Sequence, residues 1–332
     1  MRAICWISIL TLAACTAPNS GGAPGGGGSS MNNNNGGGSS AGGGDGGTGG
    51  GGANSDGGTI TGGGGAANDG GTVNGGGGAG LLKFAVMGDS RPPNENDTSG
   101  YPSAIISRIF SLAQSNGAQF LIGTGDYMFA TQASAVTAQV SLFQKAEADY
   151  TAGPIYLAMG NHECTGYTDS NCPNLDETPN VQAFMKLLPA GVTTPYYRVD
   201  LNTPTGKAKF LFVAANAWNS TQDSWLKTQL AESTAYTFVI RHEPTSDSTA
   251  PGVSPSESLI GGGHLTLELN GHTHEYRRVD SRHVISGNGG APLSSSGNYG
   301  LLLVEQQASG DFTVNEIDEA SGNITDTWSV SP

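Results

Sequence analysis

The 332-residue chain is short of positive charge, of cysteine and of long apolar runs, and each shortage excludes something. Fourteen Lys and Arg against 28 Asp and Glu leave a net charge of −14. A chain this acidic repels a phosphodiester backbone, so no nucleic-acid partner is expected. A small phosphorylated molecule is not excluded, because bound cations reverse the field locally. Of the four cysteines, only Cys164 and Cys172 lie beyond the N-terminal segment, and with no second pair of thiols a soft-metal site is disfavoured. The apolar run Ile4–Leu10 is too short to cross a bilayer as a helix. From Asn19 to Gly80 apolar residues nearly vanish: 62 positions hold 31 of the 53 glycines. That segment has too little to bury against the entropy of ordering it, and it shows no period that would indicate a repeat fold.

What is present divides the chain into three parts. Residues 1–14 read as a secretory signal, with Arg2 ahead of the short apolar run. The segment ends in Leu12-Ala13-Ala14-Cys15, which resembles the lipobox of bacterial lipoproteins. That resemblance implies a lipid-linked Cys15, hence an exported, membrane-anchored protein. Thr16, rather than Asp, follows the cysteine, which favours the outer membrane or cell surface over the inner membrane. Residues 15–80 then form a disordered Gly/Ser/Asn-rich tether with a reach of about 45 Å. Residues 81–332 are long enough for one substantial core. Cys164 and Cys172 sit there in a polar loop, and on an exported protein they are expected to form a local disulfide.

From residue 81 onward short apolar runs alternate with helical spacing, the mark of an α/β domain. Strands are expected at 83–87, 119–122, 154–159, 209–214 and 236–240. Helices are expected at 103–113, 131–150, 180–188 and 222–230. The C-terminal third reads as mostly strand, at 264–269, 282–286, 300–306, 311–317 and 324–330. Five of these strands run directly into polar clusters: Gly88-Asp89-Ser90-Arg91, Gly123-Thr124-Gly125-Asp126-Tyr127, Gly160-Asn161-His162-Glu163, Arg241-His242-Glu243-Pro244 and Asn270-Gly271-His272-Thr273-His274. Ligands collect at the carboxyl ends of strands in open α/β sheets, so these clusters can meet in one crevice. Carboxylate, amide oxygen and imidazole together suit Zn, Mn or Fe. Two Asp, one Asn and three His are too many for one ion and suit two that share a carboxylate. Such a pair activates hydroxide for in-line attack at phosphorus.

In this order the clusters resemble the calcineurin-type metallophosphoesterases, over essentially all of residues 81–290. The resemblance implies a four-layer α/β/β/α sandwich with a dinuclear centre at one edge of the sheets. It implies that Asp126 bridges two divalent or trivalent ions, that Asn161, His242 and His272 complete one site, and that Asp89 and His274 serve the other. His162 matches the family's catalytic histidine, which contacts the phosphate or protonates the leaving oxygen. The chain departs from the family at Arg91, where most members carry a metal-binding His; a guanidinium has no lone pair to give. Purple acid phosphatases also lack that His and resemble this chain at Gly271–Arg278, where Tyr276 and Arg278 fit their pattern. They use a metal-bound Tyr three residues after the bridging Asp, where this chain has Phe129; Tyr127 comes two residues too early. The site served by Asp89 is therefore one protein ligand short, its metal weak and no tyrosinate colour expected, while Arg91 is free to bind a substrate phosphate. The expected function is metal-dependent hydrolysis of a phosphate ester, monoester over diester. The alternative is a surface lipoprotein that binds metal or a phosphorylated ligand without turning it over. His264, His283, Arg277 and Arg278 stay outside the site, and Tyr127, Trp218 and Tyr276 read as packing aromatics.

Overall fold

The computed structural model describes residues 70–75, 80–166, 171–172 and 178–332. The signal segment, Cys15 and nearly all of the tether lie outside them. Among the described residues no helix is long and apolar enough to cross a membrane.

Two mixed sheets carry the fold. The first has six strands: β2 (Lys83–Met87), β3 (Phe120–Gly123) and β4 (Ile155–Leu157) run parallel, and β11 (Gly300–Gln306), β12 (Phe312–Asp318) and β13 (Ile324–Val330) extend the sheet antiparallel from β2. The second has seven strands in the order β1 (Thr72–Asn74), β5 (Tyr197–Thr203), β6 (Gly206–Val213), β7 (Tyr236–Arg241), β8 (Leu267–Asn270), β10 (His283–Ser286), β9 (Tyr276–Arg278). Strands buried on both faces need apolar residues at nearly every position, and Phe-Ala-Val-Met of β2 and Phe-Val-Ile of β7 supply them.

The sheets meet through aromatic side chains. Phe84 of β2 stacks on Phe120 of β3 with centroids 5.0 Å apart and meets the edges of Phe210 and Phe238 from the other sheet at 5.4 Å. Phe238 also meets Phe312 at 5.3 Å. Offset and edge-on contacts of this kind each add about 0.5–1.5 kcal/mol beyond area burial, so they fix how the two layers register. Helices cover the outer faces. α1 (Ser103–Ser115) buries Ile106, Ile109, Phe110 and Ala113, one stripe at helical spacing, against β2 and β11, and packs on α2 (Ala133–Glu147), which in turn meets α3 (Pro179–Met185). On the other side α4 (Ser220–Ala231) lies against β6 and packs on α5 (Val253–Ile260). The result is the α/β/β/α sandwich expected from the motifs.

Four elements escape a reading by periodicity. β1 lies inside the glycine-rich stretch read as linker, yet Thr72, Val73 and Asn74 pair in parallel with Arg198, Val199 and Asp200. An edge strand is held by backbone hydrogen bonds, so it needs little apolar sequence to declare it. β5 alternates Tyr-Arg-Val-Asp-Leu-Asn-Thr, and its Arg198 is buried by pairing with Asp200 and Glu232. β9 is three residues long, and α5 is a two-turn helix with Ser and Pro inside it.

Candidate metal centre

Each predicted site residue stands just past a strand. Asp89 follows β2, Asp126 follows β3, Asn161 and His162 follow β4, His242 follows β7, and His272 and His274 follow β8. β2, β3 and β4 are neighbours in one sheet, β7 and β8 in the other, so one edge of the sandwich collects all five loops. Of the five described non-glycine residues with positive φ, four are Asp89 (56°), Asp126 (62°), His272 (74°) and His274 (51°). A side chain in this region costs about 1–3 kcal/mol, which the surrounding structure must outweigh. Two glycines admit the crowding: a Cβ on Gly125 (φ 119°) would fall 2.5 Å from His242 Nδ1, and one on Gly271 would fall 2.5 Å from Asp89 Oδ2.

The atoms converge. Asn161 Oδ1 lies 3.1 Å from His242 Nε2 and 3.1 Å from His272 Nδ1, and Asp126 Oδ1 lies 3.3 Å from the same His242 Nε2. His242 Nδ1 donates to the Thr124 carbonyl at 2.9 Å, which leaves Nε2 as the lone-pair nitrogen in the neutral ring. Carboxylate oxygen, amide oxygen and imidazole nitrogens thus crowd one spot, where each ring nitrogen either donates a proton or offers a lone pair according to its tautomer and charge. That arrangement calls for a cation, and nitrogen and oxygen donors in this mixture fit a transition-metal ion. With only protons available, burial pulls His242 down but Asp126 beside it outweighs this and raises it to about 10. Asp126 is buried too, which pushes it up, yet His242 and His162 hold it well below the usual carboxylate range.

The second half of the cluster surrounds Asp89 and His274. Asp89 is fully buried, and burial pushes its carboxyl up to about 8. Its Oδ2 accepts from the His272 backbone at 2.8 Å, while its Oδ1 has no hydrogen-bond partner and lies 3.6 Å from His274 Nε2. Asp89, Asp126 and His242 each bring a ligand atom within 4.8 Å of the others. Arg91 enters here: its Nη2 is 3.2 Å from His274 Nε2, its Nε is 3.9 Å from Asp126 Oδ2, and its guanidinium lies 4.6 Å over the Phe129 ring. His274 is drawn down to about 4 by burial and then by Arg91. His162 is buried, with Nδ1 on the Gly166 carbonyl at 3.0 Å and Nε2 3.7 Å from Asp126 Oδ2; burial draws it down to about 4. All eight predicted residues therefore share one locus.

Two residues that sequence reasoning left without a role hold the loops. Glu163 accepts from the backbone N–H groups of Asp126, Tyr127 and Gly160, each at 2.8 Å, and so ties the loop after β3 to the loop after β4. Glu243 does the same beyond His242, taking Ser248 Oγ at 3.0 Å, the N–H groups of Thr249 and Ala250 at 2.7 and 2.8 Å, and Asn216 Nδ2 at 2.6 Å. Each carboxylate directly follows a motif His, the one cue the sequence offered. Cys164, next to Glu163, is bonded to Cys172 as expected. Tyr127 is fully buried, its hydroxyl donating to the Ala158 carbonyl, while Tyr276 and Arg278 turn to Asp326 on β13. A second acidic group, Glu257, Glu268 and His283, already contains a cation: Arg241 Nη2 lies 2.6 Å from Glu268 Oε1 and 2.9 Å from Glu257 Oε2.

A two-sheet sandwich with Asp, Asn and His gathered at the ends of its strands places a candidate metal centre at one edge of the sheets. The family model for calcineurin-like phosphoesterase matches residues 82–276, and the chain belongs to that family. Among solved structures, a purple acid phosphatase from yellow lupin (Lupinus luteus) seeds is 12% identical, covering 76% of this chain and 54% of that one with a TM-score of 0.58. A 5'-nucleotidase from Candida albicans is 14% identical, covering 73% and 52% with a TM-score of 0.41. The lupin likeness is one of fold, and the chain spans about half of that phosphatase's length. No curated protein matches the sequence.

Proposed function

We propose that the chain hydrolyses phosphate esters, monoesters in preference to diesters, at the Asp126 cluster. The observation that carries this is the meeting of Asp126 Oδ1, Asn161 Oδ1, His242 Nε2 and His272 Nδ1 through contacts of 3.1, 3.1 and 3.3 Å. A Zn, Mn or Fe ion held by these four would supply Lewis acidity and an activated water. Asp126 is turned both ways, Oδ1 toward His242 and Oδ2 toward Arg91, and so links this position to a second one at Asp89 and His274. Arg91 Nε–H is buried without a hydrogen-bond partner and suits a phosphate oxygen, and a fixed cation favours a doubly charged monoester over a singly charged diester. His162 is assigned to the leaving oxygen. It delivers a proton only as imidazolium, which burial confines to the acid side of neutral. We further infer export and a lipid anchor at Cys15; the Cys164–Cys172 disulfide fits an oxidising compartment.

The test is hydrolysis of p-nitrophenyl phosphate and bis(p-nitrophenyl) phosphate with added Mn²⁺ or Zn²⁺. Asp126→Ala and His242→Ala are expected to lose bound metal and about 10³-fold or more of the activity. Bound metal with no turnover of either ester leaves a metal- or phosphate-binding protein and removes the hydrolase. Activity that survives both substitutions removes the site.

A further inference from the structure

The two halves of the cluster are built from the same kinds of acceptor but are not in the same condition. Around Asn161 Oδ1 the 3.1 Å contacts are with two imidazole nitrogens, His242 Nε2 and His272 Nδ1, each able to give up its proton to a metal ion. Around His274 a cation already stands among the acceptors. His274 Nδ1 donates to the Pro292 carbonyl at 3.1 Å, so its Nε2 carries the lone pair, and Arg91 Nη2 donates to it at 3.2 Å. The nitrogen that would bind an ion is thus occupied by an N–H. Arg91 Nε at the same time faces Asp126 Oδ2 at 3.9 Å.

The guanidinium is held in this position from three sides. Nη1 donates to the Pro92 carbonyl at 3.2 Å, Nη2 to His274, and the planar group lies over the Phe129 ring. Phe129 offers a π face that suits a guanidinium and has no oxygen to offer a metal. The side chain is 11% exposed, so little solvent screens it. A divalent ion seated between Asp89, Asp126 and His274 would meet that positive charge at contact distance and would have to displace the N–H from His274. Arg241 stands among Glu257 and Glu268 in the same way, its Nη2 2.9 Å from one carboxylate and 2.6 Å from the other.

We propose that Arg91 is the second cation of this site. The chain binds one divalent ion, at Asp126, Asn161, His242 and His272, and the Arg91 guanidinium takes the place of another. Its unpartnered Nε–H then receives the phosphate oxygen that a second ion would otherwise hold. This deepens the hydrolase reading and rests on it for the phosphate, but the number of ions can be measured without any turnover.

The experiment is equilibrium dialysis of the full chain against Mn²⁺, with bound manganese counted by elemental analysis and its electron paramagnetic resonance recorded. Two Mn²⁺ sharing a carboxylate at roughly 3.5–4 Å are exchange-coupled, whereas a lone ion gives a six-line spectrum. The wild-type chain is expected to bind one Mn²⁺ with the six-line spectrum. Arg91→His, which adds a lone pair, is expected to bind two with a coupled spectrum. Arg91→Ala is expected to bind the second ion weakly and to lose affinity for inorganic phosphate at one bound Mn²⁺. Two coupled ions in the wild type overturn the proposal, and so does a single ion in folded Arg91→His. One ion with no ester hydrolysis leaves Arg91 in its place and removes the proposed reaction instead. No bound manganese in the wild type removes both.

Discussion

Glu163 shows how much of this centre depends on a side chain whose hydrogen bonds all go to backbone. Three N–H donors and no acceptor surround its two oxygens, which requires the carboxylate even though burial and the nearby Asp126 push it up to about 7. Glu163→Gln turns an amide N–H toward one or more of those donors. The expected cost is about 2–3 kcal/mol of stability, the range for a buried charge-assisted hydrogen bond. Because the loops carrying Asp126 and Asn161 are joined through this residue, Mn²⁺ affinity is expected to fall about 10–100-fold. Thermal melts and Mn²⁺ titration of the variant measure the two effects separately. A variant that loses stability yet binds manganese like the wild type would confine Glu163 to the fold. Asp89, Asp126, Asn161 and His272 stood out as candidates because each follows a glycine just past a strand, and His242 because it directly follows the end of β7. The role of Glu163 was not legible, since backbone donors leave no trace in side-chain spacing, and neither was the lodging of Arg91, which depends on a ring 38 positions away.

At the level of elements, the strands that could be read were those buried on both faces. β2, β3 and β7 are apolar at their centres, and a glycine or an arginine stands at or just past the end of each. β1, β5 and β9 lie toward the edges of their sheet, where one face or one edge meets water and periodicity fades. The interior of the sheets also holds a pH-sensitive group. Glu316 on β12 is buried and accepts from Asn288 Nδ2 at 3.3 Å, in the turn whose Gly289 N–H bonds the Gly88 carbonyl beside Asp89. Burial raises Glu316 from 4.5 to about 7. A folded state that holds this proton more tightly than the unfolded chain is stabilised by it below pH 4.5, and the stabilisation is lost as pH rises through 7. Glu316→Gln keeps the neutral form at every pH. The variant is expected to melt close to wild type at pH 4 and above it at pH 8; equal melting differences at both would show that Glu316 ionises no differently after folding.

The whole molecule sets the approach of the substrate. Its 28 acidic and 14 basic side chains give a field of net charge −14, while the few cations at the site act only at short range. A doubly charged phosphate monoester is therefore repelled at long distance and attracted on arrival. Salt separates these ranges. The screening length is roughly 30 Å at 0.01 M and about 10 Å at 0.1 M, so added salt removes the distant repulsion while leaving buried contacts nearly unchanged. For the hydrolase proposed here, kcat/KM for p-nitrophenyl phosphate is expected to rise several-fold between those ionic strengths, with kcat nearly constant, since encounter and not chemistry is affected. The singly charged bis ester is expected to respond by a smaller factor, because the long-range term scales with substrate charge. A kcat/KM that falls with salt would mean that the loop cations, Arg91 foremost, dominate the field out to the distance of encounter, and that the acidic surface lies where the substrate does not pass.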